Sequence, residues 1–211
     1  MAFNRPLDGE TATEVAKLFA ECIVCPGYDA AAREALGGKK NLRLMQIIPE
    51  TTSTQGAPED YLGIKRISGG VLVQEPDRGT LDPSQLKTAS KRAPSGEELA
   101  ALLFAWKVAK HVKSNAIVFA RGSRTVGVGA GQMSRVDSVK IAVMKATESL
   151  AGSVMASDAF FPFPDSVEEA ARAGATAVIQ PGGSVRDAEV IAAADQLGLA
   201  LILTGIRHFK H

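Results

Sequence analysis

The sequence predicts an α/β protein in which a layered sheet is covered by helices on both faces, a three-layer α/β/α arrangement. Strand and helix signals alternate along most of the 211 residues, and several strands are short apolar runs. A hydrophobic content of 45% with 22% charged residues is ordinary for a globular chain and excludes wholesale disorder. Four segments open with a Ser followed three residues later by Asp or Glu, the spacing of an N-terminal helix cap: Ser95, Ser134, Ser166 and Ser184.

The first part of the chain alternates helices and strands. Acidic residues early in residues 8–19 and an apolar face of Val15, Leu18 and Phe19 predict a helix there. The next strand is stopped by Pro26-Gly27, and the next helix is closed by Gly37-Gly38. In order, we predict helix 8–19, strand 21–25, helix 29–36, strand 42–48, loop 49–68, strand 70–74 and a polar connection over 75–94.

The second part is more regular. Ser95 and Glu98 form a capping box ahead of a helix over 99–112. Two alternating runs, 115–120 and 125–128, flank Arg121-Gly122-Ser123 and predict a hairpin. The other three Ser caps predict helices that reach about residue 150, residue 173 and residue 198. The strands between them are predicted at 154–157, 177–179 and 200–203.

Charge and composition exclude several classes of function. The formal net charge is +1, which removes the basic signature of a nucleic-acid binder. No apolar run approaches the roughly 18 residues of a membrane span, and no secretory signal opens the chain. We therefore expect a cytoplasmic protein that binds a small molecule, with neither nucleic acid nor membrane as a partner.

The two cysteines, Cys22 and Cys25, do not predict a metal or redox site. They lie on a predicted strand, where residues three apart point to opposite faces. No second cysteine pair or nearby histidine completes a zinc site, and the order CxxCP differs from the PCxxC of zinc deaminases. No catalytic metal is expected.

Three strand-to-helix connections are candidate ligand sites, because ligands of α/β sheets collect beyond the carboxyl ends of strands. The first is the glycine-rich turn 127–135, in which glycines admit a ligand to the backbone and Arg135 adds a guanidinium at the mouth. The alternatives are a plain tight turn and, for Arg135, a surface ion pair. The second is the turn 180–184, whose alternative is a simple β-to-α connection. The third is the loop 157–165, whose three phenylalanines either plug the core or form an apolar wall for a flat heterocycle.

Five segments together resemble one family. They are Lys113-Ser-Asn-Ala-Ile-Val118, Gly127-Val-Gly-Ala-Gly-Gln-Met-Ser-Arg-Val-Asp137, Ser157-Asp-Ala-Phe-Phe-Pro-Phe-Pro-Asp165, Gln180-Pro-Gly-Gly-Ser184 and Arg207-His-Phe-Lys-His211. In this order they are similar to the bifunctional purine-biosynthesis family, which joins an aminoimidazole carboxamide ribonucleotide (AICAR) transformylase to an IMP cyclohydrolase. The resemblance covers essentially all of the chain and lies in the transformylase domain.

The resemblance implies a cytidine-deaminase-like fold that has lost its zinc. Residues 1–40 would be the end of a first deaminase-like copy and residues 41–211 the second copy. The implied reaction is transfer of a formyl group from 10-formyltetrahydrofolate, the cosubstrate, to the amine of AICAR. The implied partners are an N-terminal transformylase half, a cyclohydrolase domain and a second copy in a homodimer.

The resemblance also implies roles for individual residues. Asn115 and Arg135 match positions that contact the carboxamide and support catalysis, and Lys40 matches a lysine that contacts the phosphate. The AICAR-binding set would be Glu21, Lys40, Asn115, Arg135, Asp165, Arg207 and His211. The folate-binding set would be Val136, Phe160, Ser184 and Val185.

One family segment is missing from these 211 residues. The family's Lys-His-x-x-Pro-Cys-Gly segment, which supplies the proton acceptor, has no counterpart here. Lys110-His111 is followed by no Pro-Cys-Gly and is interpreted as a partner of a helix C-terminal dipole. We therefore expect no catalytic residue beyond the supporting Asn115 and Arg135, and no IMP cyclohydrolase activity. The alternative hypothesis is a catalytically silent module that binds a nucleotide or a folate.

Overall fold

The computed structural model describes residues 1–47 and 62–210. By its internal contacts the chain divides into two units, Met1–Ile64 and Lys65–His211. The predicted strand end at residue 48, most of the predicted loop 49–68 and His211 lie outside the described residues. Within the described part, no helix is both long enough and apolar enough to cross a membrane.

The first unit pairs two helices with a small parallel sheet. Its elements are α1 (Gly9–Ala16), β1 (Cys22–Cys25), α2 (Ala30–Gly37) and β2 (Arg43–Gln46), close to the predicted order. Asp8 and Asp29 cap the helices, since their carboxylates accept the backbone N–H of Thr11 and Ala32 at 2.8 and 2.6 Å. The apolar side chains of these elements form a separate small core.

A hairpin follows, formed by β3 (Gly63–Ile67) and β4 (Gly70–Gln74). The prediction of β4 is confirmed, whereas β3 corrects the predicted loop. Every residue of both strands is exposed, so β3 carries no pattern of burial that a sequence could reveal. Gly69 makes the turn with a φ of +80°, a conformation that side chains with a Cβ rarely adopt.

The second unit holds a mixed six-stranded sheet. Its elements are β5 (Lys87–Thr88), α3 (Gly96–His111), β6 (Ile117–Arg121), β7 (Arg124–Gly129), α4 (Arg135–Met144), β8 (Val154–Ser157), α5 (Asp165–Arg172), β9 (Ala177–Gln180), α6 (Asp187–Gln196) and β10 (Ala200–Leu203). The spatial order is β5-β10-β9-β8-β6-β7. Strands β8, β9 and β10 are parallel, and the other three pairings are antiparallel. The predicted hairpin is the β6–β7 pair.

Helices cover both faces of this sheet, so the predicted three-layer α/β/α arrangement is confirmed for the second unit. Successive strand residues alternate between the two cores, as the pleat requires. Phe119, Met155, Val178 and Leu201 pack with residues of α4, α5 and α6. Val118, Ala156, Ile179 and Ile202 pack with residues of α3.

Two of the four predicted Ser caps are wrong, and a third, Ser134, is the N-cap residue of α4 but lacks the capping hydrogen bond. Ser95 does form the capping box with Glu98. Ser134 precedes α4 but makes no capping hydrogen bond, and that helix ends at Met144 rather than near residue 150. Ser166 is buried inside α5, which begins one residue earlier. Ser184 does not cap α6 through its side chain. Instead, the carboxylate of Asp187 accepts the backbone N–H groups of Gly183 and Ser184 at 2.7 and 3.2 Å.

The predicted polar connection over 75–94 also contains structure. Pro83–Gln85 form one 3-10 turn, and β5 pairs as a short antiparallel edge strand with β10. A strand of two exposed residues has no detectable periodicity, which is why the sequence did not indicate it.

Candidate functional site

The glycine-rich turn is required by close packing between β7 and α4. A Cβ on Gly129 would lie 1.9 Å from the carbonyl oxygen of Ser138, and one on Gly127 would lie 2.7 Å from that of Ala142. Gly131 adds a φ of +69°. Two of the glycines therefore let the helix approach the strand, and this fixes where the first turn of α4 stands.

A buried ion pair joins that first turn to the end of β8. Arg135 is 8% exposed and Asp158 is 1% exposed. The guanidinium Nη1 of Arg135 donates to Asp158 Oδ1 and to the hydroxyl of Ser157, the latter at 2.9 Å. The expectation that the Arg135 guanidinium lies open at the mouth of the glycine-rich turn is therefore wrong, because it points inward to Asp158. The alternative of a surface ion pair is also wrong, because the pair is buried.

Asn115 completes this network. Its side-chain Oδ1 accepts Arg135 Nη2 at 2.7 Å, and its Nδ2 donates to the carbonyl oxygens of Gln132 and Met133 at 2.9 and 3.2 Å. The two residues that the resemblance pairs are thus bonded to each other. Of the five guanidinium N–H groups of Arg135, Nε–H and one on Nη2 have no partner in the described part of the chain.

Asp158 also anchors the C-terminal tail. Its Oδ2 accepts the hydroxyl of Ser114 at 2.5 Å, and its backbone carbonyl accepts the N–H of His208 at 2.9 Å. Ser114 in turn exchanges hydrogen bonds with Lys210 through its backbone N–H and its hydroxyl. The tail is therefore held against the residues that orient Arg135.

A cavity of about 450 Å³ opens beside this network. Five of the predicted site residues line it: Asn115, Arg135, Val136, Phe160 and Asp165. It lies at the N-termini of α4 and α5, whose dipoles favour negative charge on a ligand. Its size falls in the range of small-molecule sites. The predicted AICAR and folate residues of these segments thus converge on one cavity.

The three phenylalanines divide between the two predicted roles. Phe161 is fully buried in the core, whereas Phe160 lines the cavity. Phe163 also lines it, is 47% exposed, and carries the guanidinium of Arg186 at 4.7 Å from its ring centroid. The loop therefore supplies one core plug and two aromatic side chains to the cavity.

Glu21 and Lys40 line a separate cavity of about 480 Å³ within the first unit. Lys39 and Arg43 line it as well, so the cavity has a cationic rim. Lys39 donates to the carbonyl of Leu18 at 2.8 Å. This surface can receive an anion, as the predicted role of Lys40 requires.

The remaining predicted residues do not line either cavity. Val185 is fully exposed, and the hydroxyl of Ser184 accepts the N–H of Arg186 at 3.2 Å. Arg207 is exposed, and its guanidinium lies 5.3 Å from the ring centroid of Phe209, a residue that does line the 450 Å³ cavity. His211 lies outside the described residues.

Two important residues were not singled out from the sequence. Asp158 stands inside a segment already selected, directly after an apolar strand, and that position is the signal that could have identified it. Gln180 is fully buried, and its side-chain oxygen accepts the N–H of Phe161 at 2.9 Å. It thereby fixes the loop that carries Phe160. Among the described residues, no cluster of three or more His, Cys, Asp or Glu side chains could hold a metal ion.

The chain is similar to known proteins of one family. The family model described as "AICARFT/IMPCHase bienzyme" matches residues 1–145. The chain is 56% identical over 214 residues to the bifunctional purine biosynthesis protein PurH of Anaeromyxobacter sp. (strain Fw109-5), and 55% identical over 224 residues to PurH of Dinoroseobacter shibae. Both matches cover 100% of this chain and 41% of the relative.

Among solved structures, the dCMP deaminase of cyanophage S-TIM5 is similar at 19% identity and a TM-score of 0.34, over 49% of this chain and 90% of that chain. The family model and the PurH relatives together show that the chain belongs to the AICARFT/IMPCHase bienzyme family.

Proposed function

We propose that the chain is the C-terminal part of an AICAR formyltransferase. It would help transfer a formyl group from 10-formyltetrahydrofolate to the amine of AICAR, giving the formylated nucleotide on the route to IMP. The observation that carries the proposal is the convergence of Asn115, Arg135, Val136, Phe160 and Asp165 on one cavity in a member of this family. We also propose the finer fold assignment, a cytidine-deaminase-like fold with residues 1–40 ending a first copy and 41–211 forming a second.

The proposed chemistry needs positioning above all. The amine of AICAR is conjugated with its ring and is a weak nucleophile, so alignment with the formyl carbon and removal of a proton lower the barrier. Arg135 keeps two N–H groups available, and Asp158 and Asn115 fix the plane of its guanidinium. A group held in this way orients the carboxamide oxygen of the nucleotide without further loss of side-chain freedom.

The folate would lie against the aromatic side of the cavity. Phe160 and Phe163 present ring surface there, and Val136 adds an aliphatic contact. Flat heterocycles bind to such surfaces through burial of apolar area and stacking. The half-buried Ser184 and the exposed Val185 stand on the neighbouring turn and are proposed as outer contacts of the folate.

The proton acceptor is proposed to come from outside these 211 residues, either from a separate N-terminal half or from another part of a longer protein to which they belong. The chain spans about two fifths of the length of the curated relatives that it matches. The missing Lys-His-x-x-Pro-Cys-Gly segment would reside in an N-terminal half, alone or with a cyclohydrolase domain. The activity of this chain by itself is therefore expected to be negligible, and no IMP cyclohydrolase activity is expected.

Complementation tests the proposal. The chain is mixed with a polypeptide bearing the Lys-His-x-x-Pro-Cys-Gly segment, and formyl transfer is followed from the folate absorbance. We expect turnover from the mixture only. A folded and tightly associated pair that binds AICAR but shows no turnover would contradict the enzyme and favour the silent binding module.

A matched pair of variants tests the cavity. Asp165 lies in the first turn of α5 and lines the cavity, whereas Asp137 lies in the first turn of α4, is exposed and does not line it. Asp165→Asn should weaken AICAR binding in a calorimetric titration by roughly ten-fold, the value of one charge-assisted hydrogen bond. Asp137→Asn should leave it unchanged. Equal effects of the two variants would contradict the placement of AICAR in this cavity.

A further inference from the structure

A second, larger cavity lies on the opposite side of the sheet, against α3. Its volume is about 800 Å³, within the range of small-molecule sites. Leu103, Phe104 and Trp106 of α3 and Leu81 of the preceding segment give it an apolar wall. It shares no lining residue with the 450 Å³ cavity.

Two lysines give the lining of this cavity its positive charge. Lys107, Lys110 and His111 line it at the end of α3, and no Asp or Glu is among its described lining residues. Lys110 is held in place, since its Nζ donates to the carbonyl of Gly79 at 2.8 Å and lies 3.7 Å from Asp77 Oδ1. Lys107 is exposed and forms no ion pair within the described ranges. An anionic group entering here would meet a lysine that has no competing ion-pair partner in the described part of the chain.

The inner end of the cavity is ordered. His208 is 2% exposed, its Nδ1 lies 2.6 Å from Asp77 Oδ2, and its ring centroid lies 5.0 Å from that of Trp106. A Cβ on Gly79 would lie 3.1 Å from Asp77 Oδ1 and 3.2 Å from His208 Cε1, so these groups are closely packed. A rigid wall costs little conformational entropy when a ligand binds.

We propose that this cavity binds a small molecule with a flat apolar body and one anionic group. The body would pack against Leu103 and Phe104, next to the buried Trp106, and the anion would face Lys107. The proposal goes beyond the formyltransferase function, because no residue of this cavity is assigned to AICAR or to the folate.

Trp106 gives a direct test, because it is the chain's one tryptophan and lines the cavity. The probes are 8-anilinonaphthalene-1-sulfonate, which is anionic, and N-phenyl-1-naphthylamine, its neutral counterpart. Quenching of Trp106 emission is titrated with each. We expect saturable one-site quenching by both, with tighter binding of the sulfonate.

Charge reversal tests the anion site. Lys107→Glu should weaken the sulfonate roughly five- to ten-fold and leave the neutral probe within two-fold. Lys140→Glu makes the same change at an exposed position of α4, away from the cavity, and should affect neither probe. Circular dichroism verifies that both variants are folded.

Three results would overturn the proposal. They are absence of saturable quenching, equal weakening of the sulfonate by the two variants, and a change of Trp106 emission with protein concentration alone, which would show that a second copy covers the cavity. None depends on AICAR binding or turnover, so failure here is separable from failure of the proposed formyltransferase.

Discussion

At the scale of single residues, Arg135 carries both a structural and a proposed binding role. Removing one partner of a buried ion pair leaves an uncompensated charge, so Asp158→Asn should lower the free energy of unfolding by about 3 kcal/mol. Arg135→Lys keeps the charge but loses the planar fork, and should cost about 2 kcal/mol. Urea unfolding followed by circular dichroism measures both.

An exposed arginine provides the control for this prediction. Arg124 pairs with Glu148 at 3.0 Å but is 65% exposed, so Arg124→Lys should cost less than about 1 kcal/mol. If Arg135→Lys were as mild as Arg124→Lys and still weakened AICAR binding, Arg135 would be a binding residue without the structural role.

Gly129 allows a second prediction at this scale. Because an added Cβ would overlap the carbonyl of Ser138, Gly129→Ala should destabilise the fold by about 3 kcal/mol through displacement of α4. Gly96 at the start of α3 has open space around it, and Gly96→Ala should be neutral or slightly stabilising. Thermal melts compare the two, and equal melting temperatures would show that α4 shifts freely.

At the scale of elements, the start of α3 is joined to the segment that precedes it by an ion pair whose strength depends on pH. Arg92 Nη1 and Nη2 donate to the two carboxylate oxygens of Glu98, both at 2.9 Å. These hydrogen bonds outweigh burial and lower the pKa of Glu98 from 4.5 to about 2. A pKa lowered in the folded state stabilises the fold fully above the unfolded value, and the stabilisation is lost as pH falls from about 4.5 towards 2.

Glu98→Gln isolates this contribution. Glutamine keeps the capping box with Ser95 but removes the charge. The variant should therefore lower the free energy of unfolding by about 2 kcal/mol at pH 7, a value already reduced because Arg92 is partly exposed. The loss should become progressively smaller below pH 4.5. Urea unfolding of both proteins from pH 7 to pH 2.5 measures the difference. Glu189→Gln removes a glutamate charge from an exposed pair with Arg186, is the control, and should cost less than about 1 kcal/mol at pH 7. A difference that does not vary with pH would contradict the assignment.

How much of the fold the sequence could predict depends on burial. Strands β8, β9 and β10 are buried along nearly their whole length, and their apolar runs locate them within a residue. By contrast, β3 and β5 are exposed, so no pattern of burial identifies them. Their formation depends on the strands with which they pair, and the sequence does not show that pairing. The misassigned caps show the same limit, because Ser166 has the spacing of a cap but lies inside a helix whose start is set by Pro164 and Asp165.

The candidate site, like the fold, could be predicted from the sequence only in part. The resemblance locates Asn115, Arg135 and Phe160 through their motifs, and the structure brings them to one cavity. Arg135 is turned inward because it pairs with Asp158, which is 23 residues away in sequence and is brought to it by the packing of α4 against the sheet. A sequence motif identifies such residues but not the partners that a tertiary contact provides.

At the scale of the whole molecule, the β3–β4 hairpin is proposed as part of the interface with a second copy. Ile64, Val71, Leu72 and Val73 are 70%, 57%, 54% and 55% exposed. A two-stranded hairpin with no apolar face covered is only marginally stable in water, and exposed apolar side chains grouped on one element are typical of an interface. We therefore expect the chain to be a dimer in solution.

Sedimentation velocity tests this expectation. The double variant Val71→Lys with Val73→Lys places two charges on one face of β4 and should shift the protein to monomer, with a dimer dissociation constant at least about 100-fold higher, because two buried apolar side chains are worth about 3 kcal/mol or more. Met144→Lys with Leu197→Lys introduces the same charges at side chains that are 70% and 44% exposed, away from the hairpin, and should leave the dimer intact. A wild-type chain that stays monomeric at high concentration would refute the dimer, and equal dissociation of the two double variants would remove the hairpin from its interface.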